Sequence, residues 1–252
     1  MSAPPKQRQT RKQKRLQRHT DTETVQDRLN YTLQKIYPLT DNQRLTFKLY
    51  EENKHLLLIG TAGTGKSFLS IYLGMDDILN KQTHRKMVII RSVVPTRDMG
   101  FLPGSNKEKA LVYEAPYYAI FNEMFDKRDA YETMKQKNVV EFMTTSFVRG
   151  ITINDCIVIV DEFQNMTASE LHSVFTRIGK NCRVIFSGDI KQNDFTGKRE
   201  VSGFKDFFKV INLMPSFSVI EFTKEDVVRG DLVREYIIAR EDLEERGLIE
   251  VL

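Results

Sequence analysis

Eight consecutive residues, Gly60-Thr61-Ala62-Gly63-Thr64-Gly65-Lys66-Ser67, have the types and spacing that grip a polyphosphate, G-x-x-x-x-G-K-[ST]. The glycines let the backbone curl so that successive N–H groups point at phosphate oxygens. A helix opening near Lys66 adds the positive end of its dipole. Lys66 is placed to bridge the β- and γ-phosphates, and Ser67 to ligate Mg²⁺. Further along, Ile157-Val158-Ile159-Val160 runs into Asp161-Glu162. Asp161, at the end of a buried strand, can hold the metal through its water shell, while Glu162 can orient and deprotonate an attacking water. Two adjacent carboxylates are otherwise a solvated turn; the phosphate loop upstream favours the chemical reading.

Other polar residues fall near these two motifs. Gln164 follows the acid pair, and Gln192 follows Ser187-Gly188-Asp189 one strand later. A glutamine there can bond a γ-phosphate, or the water attacking it, without adding charge. Gln43 closes Thr40-Asp41-Asn42-Gln43, one helix ahead of the loop. Its amide can read an adenine edge, or it can satisfy a backbone donor in a capping box, and the two roles can coexist. Arg229, in Asp226-Val227-Val228-Arg229-Gly230, can stabilise charge developing on a γ-phosphate or be an ordinary surface arginine.

These residues need a frame. From Leu56 onward short apolar runs alternate with helical patterns, which predicts an α/β fold, a mostly parallel sheet with helices on both faces. The predicted strands are Leu56 to Ile59, Met87 to Arg91, Val139 to Phe142, Ile157 to Val160, Arg183 to Phe186 and Val219 to Phe222. Helices are predicted from Lys66 to Leu79, Lys109 to Phe125, Ala168 to Ile178 and Leu232 to Glu245. Thr167 and Glu170 form a capping box for the third, and Gly247 sits where the last would be capped. Pro95 to Asn106 reads as a loop.

Charge is unevenly spread. Residues 1–20 hold Lys6, Arg8, Arg11, Lys12, Lys14, Arg15 and Arg18 and no acid, within a chain whose net charge is only +4. A polar, basic segment of this kind cannot bury enough apolar area to fold alone, so 1–22 is expected to be a disordered arm and 23–252 a single domain. Such arms give salt-sensitive affinity for nucleic acid, or simply solubilise. No apolar run is long enough for a membrane helix, and no apolar stretch follows the basic N-terminus as in a secretory signal, so a cytoplasmic protein is expected. Cys156 and Cys182 are too few for a disulfide framework or a four-thiolate zinc site.

Taken together, the sequence resembles the PhoH family of P-loop ATPases, whose motifs are similar to those of superfamily 1 helicases. The resemblance runs from Thr40 to Leu243. It is carried by Gly60 to Ser67, Gly100-Phe101-Leu102-Pro103-Gly104 with Glu108-Lys109, Val148-Arg149-Gly150, Asp161-Glu162-Phe163-Gln164-Asn165, Ser187-Gly188-Asp189 with Gln192, and Asp226 to Arg229. Phe163 stands where the family usually has Ala, and Gly230 where a His is common. The resemblance implies ATP binding and hydrolysis on a RecA-like P-loop NTPase core, with RNA or single-stranded DNA as partner, Gln43 as adenine reader and Arg229 as an arginine finger. Members occur in bacteria and phages, so a phage-encoded chain would act in the host cytoplasm.

Some relatives carry a fused PIN-type nuclease domain, for which no length is expected here. The helicases close two RecA-like lobes on ATP, and one lobe would need neighbouring subunits, as in a ring such as a hexamer, with Arg229 acting across the interface. Loops after the strands would offer Arg91, Arg97 and Arg149 to a nucleic-acid backbone, with Tyr113, Tyr117 and Phe101 as stacking partners; the competing readings are ion pairing and core packing. A nucleoside kinase would use the same loop. Thymidine kinases also carry Asp-Glu-x-Gln after a strand, but commonly hold a four-ligand zinc lasso that two cysteines cannot build. A non-hydrolysing ATP switch has no need of Glu162, and no Asn-Lys-x-Asp element reads guanine.

Overall fold

The computed structural model describes Val25, Leu29 and residues 30–92, 106–189 and 203–249, with 106–110 as backbone only. The basic arm, the Gly100 to Gly104 stretch, Arg97 and Gln192 lie outside the described residues, as do the side chains of Glu108 and Lys109. Six strands form one parallel sheet: β1 (His55–Gly60), β2 (Met87–Arg91), β3 (Val140–Thr144), β4 (Ile157–Asp161), β5 (Arg183–Gly188) and β6 (Phe217–Phe222). Their order is β3-β2-β4-β5-β1-β6. Every strand expected from the sequence is present.

Neighbouring strand residues point to opposite faces, and here both faces are apolar. Leu56 and Leu58 join one core with Ile71, Met75, Tyr117, Phe121 and Tyr131, while Leu57 and Ile59 join another with Val160, Phe163, Leu171, Phe186 and Ile211. The first face is covered by α1 (Asp41–Glu51), α2 (Lys66–Leu79), α3 (Asn106–Phe125) and α4 (Ala130–Gln136). The second is covered by α5 (Thr145–Val148), α6 (Ala168–Phe175) and α7 (Phe204–Asn212). The fold is therefore the expected α/β arrangement with helices on both faces. The second face is rich in phenylalanine: the rings of Phe186 and Phe207 lie 4.8 Å apart, and Phe163 meets Phe186 edge-on at 5.9 Å. A final helix, α8 (Asp231–Glu245), ends with Gly247 at φ +66°, the cap read from the sequence.

Several boundaries shift by one to three residues, such as β3 at Val140–Thr144, β6 from Phe217 and α3 from Asn106, and one of the shifts has a clear reason. Helix α6 stops at Phe175, short of the expected Ile178. Beyond it the chain tightens, with Arg177 N–H bonding Val174 and Ile178 N–H bonding Phe175, and Ile178 then pairs with Ile153 as a parallel bridge. Its N-terminus carries the expected Thr167–Glu170 capping box.

Because β5 separates β1 from β4 and all three run parallel, the end of β1 and the end of β4 open on the same edge, one strand apart. The carboxyl edge of a parallel sheet covered by helices on both faces is where such folds hold ligands. No helix among the described residues is long and apolar enough to cross a membrane.

Candidate functional site

The phosphate loop leaves β1 at Gly60 and enters α2 at Lys66. Gly60, Gly63 and Gly65 have φ of +120°, +76° and +83°, backbone that residues with a Cβ rarely adopt. At Gly60 a Cβ would also lie 1.8 Å from the Phe222 carbonyl oxygen. Gly65 caps α2 without any side-chain bond, which leaves the first N–H groups of the helix directed into the loop. Lys66 is buried and folded onto the loop, donating to the carbonyls of Gly60 at 2.7 Å and Thr61 at 2.6 Å and to the Thr64 hydroxyl at 3.3 Å. Burial lowers its ammonium pKa from the ordinary range, against the charges of Asp189, Glu162, Asp161 and Glu241.

At the far side, Asp161 is 4% exposed and accepts three hydroxyls. Ser67 Oγ and Ser187 Oγ donate to its Oδ1 at 2.7 and 2.6 Å, and Tyr117 donates to Oδ2 at 2.9 Å. Ser67 and Asp161, the two residues expected to hold Mg²⁺, are thus in contact. The donor set suits that ion, which takes oxygen ligands: a hydroxyl and a carboxylate oxygen.

Glu162 sits at φ +51°, ψ +40°, an uncommon conformation for a residue with a side chain. The turn turns its carboxylate back toward the sheet edge, where Gln164 Nε2 donates to Oε2 at 2.6 Å. Gln164 Oε1 in turn accepts the Asp189 N–H at 3.1 Å. Burial, then the charge of Asp161, raises the Glu162 pKa, opposed by the Gln164 bond, Arg91 and Lys66. A carboxylate held this way is a stronger proton acceptor than one in water. Gly188 makes the arrangement possible, since a Cβ there would lie 2.3 Å from Gln164 Oε1 and 2.9 Å from the Phe163 ring. Phe163 itself points down into the phenylalanine core, away from the acids.

Gln43 is buried beside the loop, with Oε1 accepting Leu39 N–H at 2.8 Å and Nε2 donating to the Thr64 carbonyl at 3.2 Å. The Thr40 hydroxyl accepts the Gln43 N–H at 3.3 Å, so half of the expected capping box is made, while the Gln43 side chain serves the phosphate loop. Asp226 is buried too, accepting Asn42 Nδ2 at 2.7 Å and Thr223 N–H at 3.0 Å, which ties α1 to the chain that follows β6. Arg229 is exposed, and its stem lies against Gly63 of the phosphate loop, 3.0 Å from where a Cβ would stand. Ala62 completes the loop, half-buried.

Two nucleic-acid expectations need correction. Tyr117 is fully buried and bonded to Asp161, so it cannot stack on a base. Arg91 is half-buried on β2, in register with Asp161, with its guanidinium 5.9 Å from the half-buried Tyr113 ring. Burial would depress Arg91, but Tyr117, Asp161 and Glu162 outweigh it and hold the guanidinium charged. Arg149 is exposed. The sequence suggested no role for Ser187 or Glu241 and the wrong one for Tyr117; of these only Ser187, in a polar run after an apolar strand, carried a local signal.

A family model described as "PhoH-like protein" matches residues 35–241. A PhoH-like protein of Mycobacterium leprae is 31% identical over 213 residues, 84% of this chain and 60% of the relative. A PhoH-like protein of Bacillus subtilis is 31% identical over 201 residues, 79% of this chain and 62% of that protein. The chain thus spans less than two thirds of either relative's length. Among solved structures, a Pif1 helicase from Candida albicans aligns over 75% of this chain and 41% of its own, with a TM-score of 0.38 and 14% identity.

Proposed function

The chain belongs to the PhoH-like protein family, and from that premise we propose that it binds ATP with Mg²⁺, hydrolyses it, and couples hydrolysis to RNA or single-stranded DNA. The observation that carries this reading is the contact between Ser67 and Asp161 at 2.7 Å, with Lys66 on one side and Glu162 on the other. The N–H groups of residues 60–67 would cradle the phosphates, and Lys66 would exchange its carbonyl partners for phosphate oxygens. Ser67 and Asp161 would hold Mg²⁺, which neutralises charge on the phosphates when bound. Glu162 takes the proton of the attacking water, and Gln164 keeps that carboxylate aimed by tethering it to the Asp189 backbone.

Gln43 is suited to pass the state of an adenine edge to the loop, since its amide already bonds Thr64. Arg229 would supply positive charge to the γ-phosphate, reached from beside its own Gly63 or across to a neighbouring copy in a ring. Gln192, which follows β5 in the sequence, would sense the γ-phosphate. The basic residues of the N-terminal segment support the nucleic-acid part of the reading, as a source of salt-sensitive phosphate contacts.

The test is phosphate release from ATP by the chain alone, with RNA, with single-stranded DNA and with nucleosides. Turnover that rises with nucleic acid and disappears in Lys66→Ala and Glu162→Gln is expected. Phosphorylated nucleoside would replace the reading with a kinase, and binding without turnover would replace it with a switch.

A further inference from the structure

Four acids place their charge on Lys66: Asp189, Glu162, Asp161 and Glu241. Glu241 has no part in the hydrolytic arrangement above, and it comes from α8 rather than from a strand end. It is 8% exposed and accepts the Thr61 hydroxyl at 2.6 Å. The carbonyl of the same Thr61 accepts Lys66 at 2.6 Å and the Thr64 hydroxyl at 3.0 Å. One loop residue therefore holds Glu241 through its side chain and Lys66 through its main chain.

The segment around α8 rests on the loop at two further points. Val228 N–H, just before the helix, donates to the Gly63 carbonyl at 3.1 Å. Ile237 Cδ1 stands 3.3 Å from where a Cβ on Gly63 would lie. Ile237 and Glu241 are one turn apart, on the same face of α8.

A carboxylate beside a phosphate loop has two opposed effects. As a hydrogen-bond acceptor it fixes Thr61 and so the curl of the loop. As a buried charge it repels an incoming polyphosphate more strongly than it would in water. We propose that Glu241 is a positioning residue of the phosphate site that limits how tightly nucleotide is held, so that product leaves readily. The inference rests on the nucleotide reading given above.

Binding and release of a fluorescently labelled ADP with Mg²⁺ by the full chain test it, beside melting curves of each variant. Glu241→Gln keeps an acceptor for Thr61 and removes the charge. It is expected to bind ADP about fivefold tighter or more, the low end of usual coupling between groups, with slower release. Unchanged or weaker binding by a folded Glu241→Gln would overturn the inference, since a purely structural role changes melting without tightening ADP. If that variant does not fold, Glu241→Ala and Glu241→Asp decide: Glu241→Ala, which removes the charge, is expected to hold ADP tighter than Glu241→Asp, which keeps it, and equal affinities would overturn the inference. Absence of ADP binding by the unmutated chain would overturn the nucleotide reading itself and this inference with it, whereas binding that Glu241→Gln leaves unaltered removes this inference alone.

Discussion

The two sides of the site are built by different means. The loop side is made of backbone: three glycines with positive φ, carbonyls that hold Lys66, and the uncapped start of α2. The acid side is made of side chains drawn from four separate elements, with Ser67, Tyr117 and Ser187 on Asp161, and Gln164 on Glu162. A backbone site is local in sequence and tolerates change least at its glycines and lysine. A side-chain site is distributed, and each member removes a share of function when lost.

Mutations sharpen this contrast, beginning with the most severe. Lys66→Ala should abolish ATP binding and turnover together, measured by nucleotide titration and phosphate release. Glu162→Gln should lower kcat by about 10²–10⁴-fold, the usual worth of a general base, while ATP binding persists. A loss of both binding and turnover in that variant would place Glu162 on the wrong side of the comparison.

Gly188→Ala should act on the acid side from a distance. The added methyl displaces Gln164 from Glu162, so kcat should fall while ATP binding holds, with a stability loss of roughly 1–3 kcal/mol for overpacking. Tyr117→Phe removes one of three hydroxyls on a buried carboxylate and should cost about 1.5–3 kcal/mol, read from denaturant unfolding. Its effect on turnover should exceed its effect on ATP affinity.

The smallest effect lies at the opposite edge of the sheet and serves as a control. His55 Nδ1 accepts Val184 N–H at 3.2 Å, and burial, then Arg183, lowers the imidazole pKa from its ordinary 6.5. The folded value lies below the unfolded one, so the bond contributes stability above about pH 6.5 that fades as pH falls through the folded value. His55→Gln should flatten the acid side of the melting-temperature profile slightly and leave turnover at pH 7.5 alone.

This division also explains what could be read in advance. The loop and the acid pair were legible because each is a run of adjacent residues with one chemical purpose. The four inner strands were legible because strands buried on both faces are rich in Val, Ile and Leu, while the edge strands β3 and β6 gave a weaker, mixed pattern. Tyr117 was misread because an aromatic residue on a helix carries no mark of what its hydroxyl meets, and its partner stands 44 residues away. Glu241 was invisible for the same reason, being 180 residues from Thr61. Helix α7 had a readable stripe in Phe204, Phe207, Phe208 and Ile211, at i, i+3, i+4 and i+7, which sequence reading passed over. The early end of α6 depended on the pairing of Ile178 with Ile153, a tertiary contact.

The most direct measurement is a crystal structure of the chain with a non-hydrolysable ATP analogue and magnesium. The expected result has Lys66 released from the Gly60 and Thr61 carbonyls onto phosphate oxygens, with Ser67 and Asp161 about the metal. Lys66 still folded on those carbonyls, with the triphosphate bound elsewhere on the protein, would contradict it.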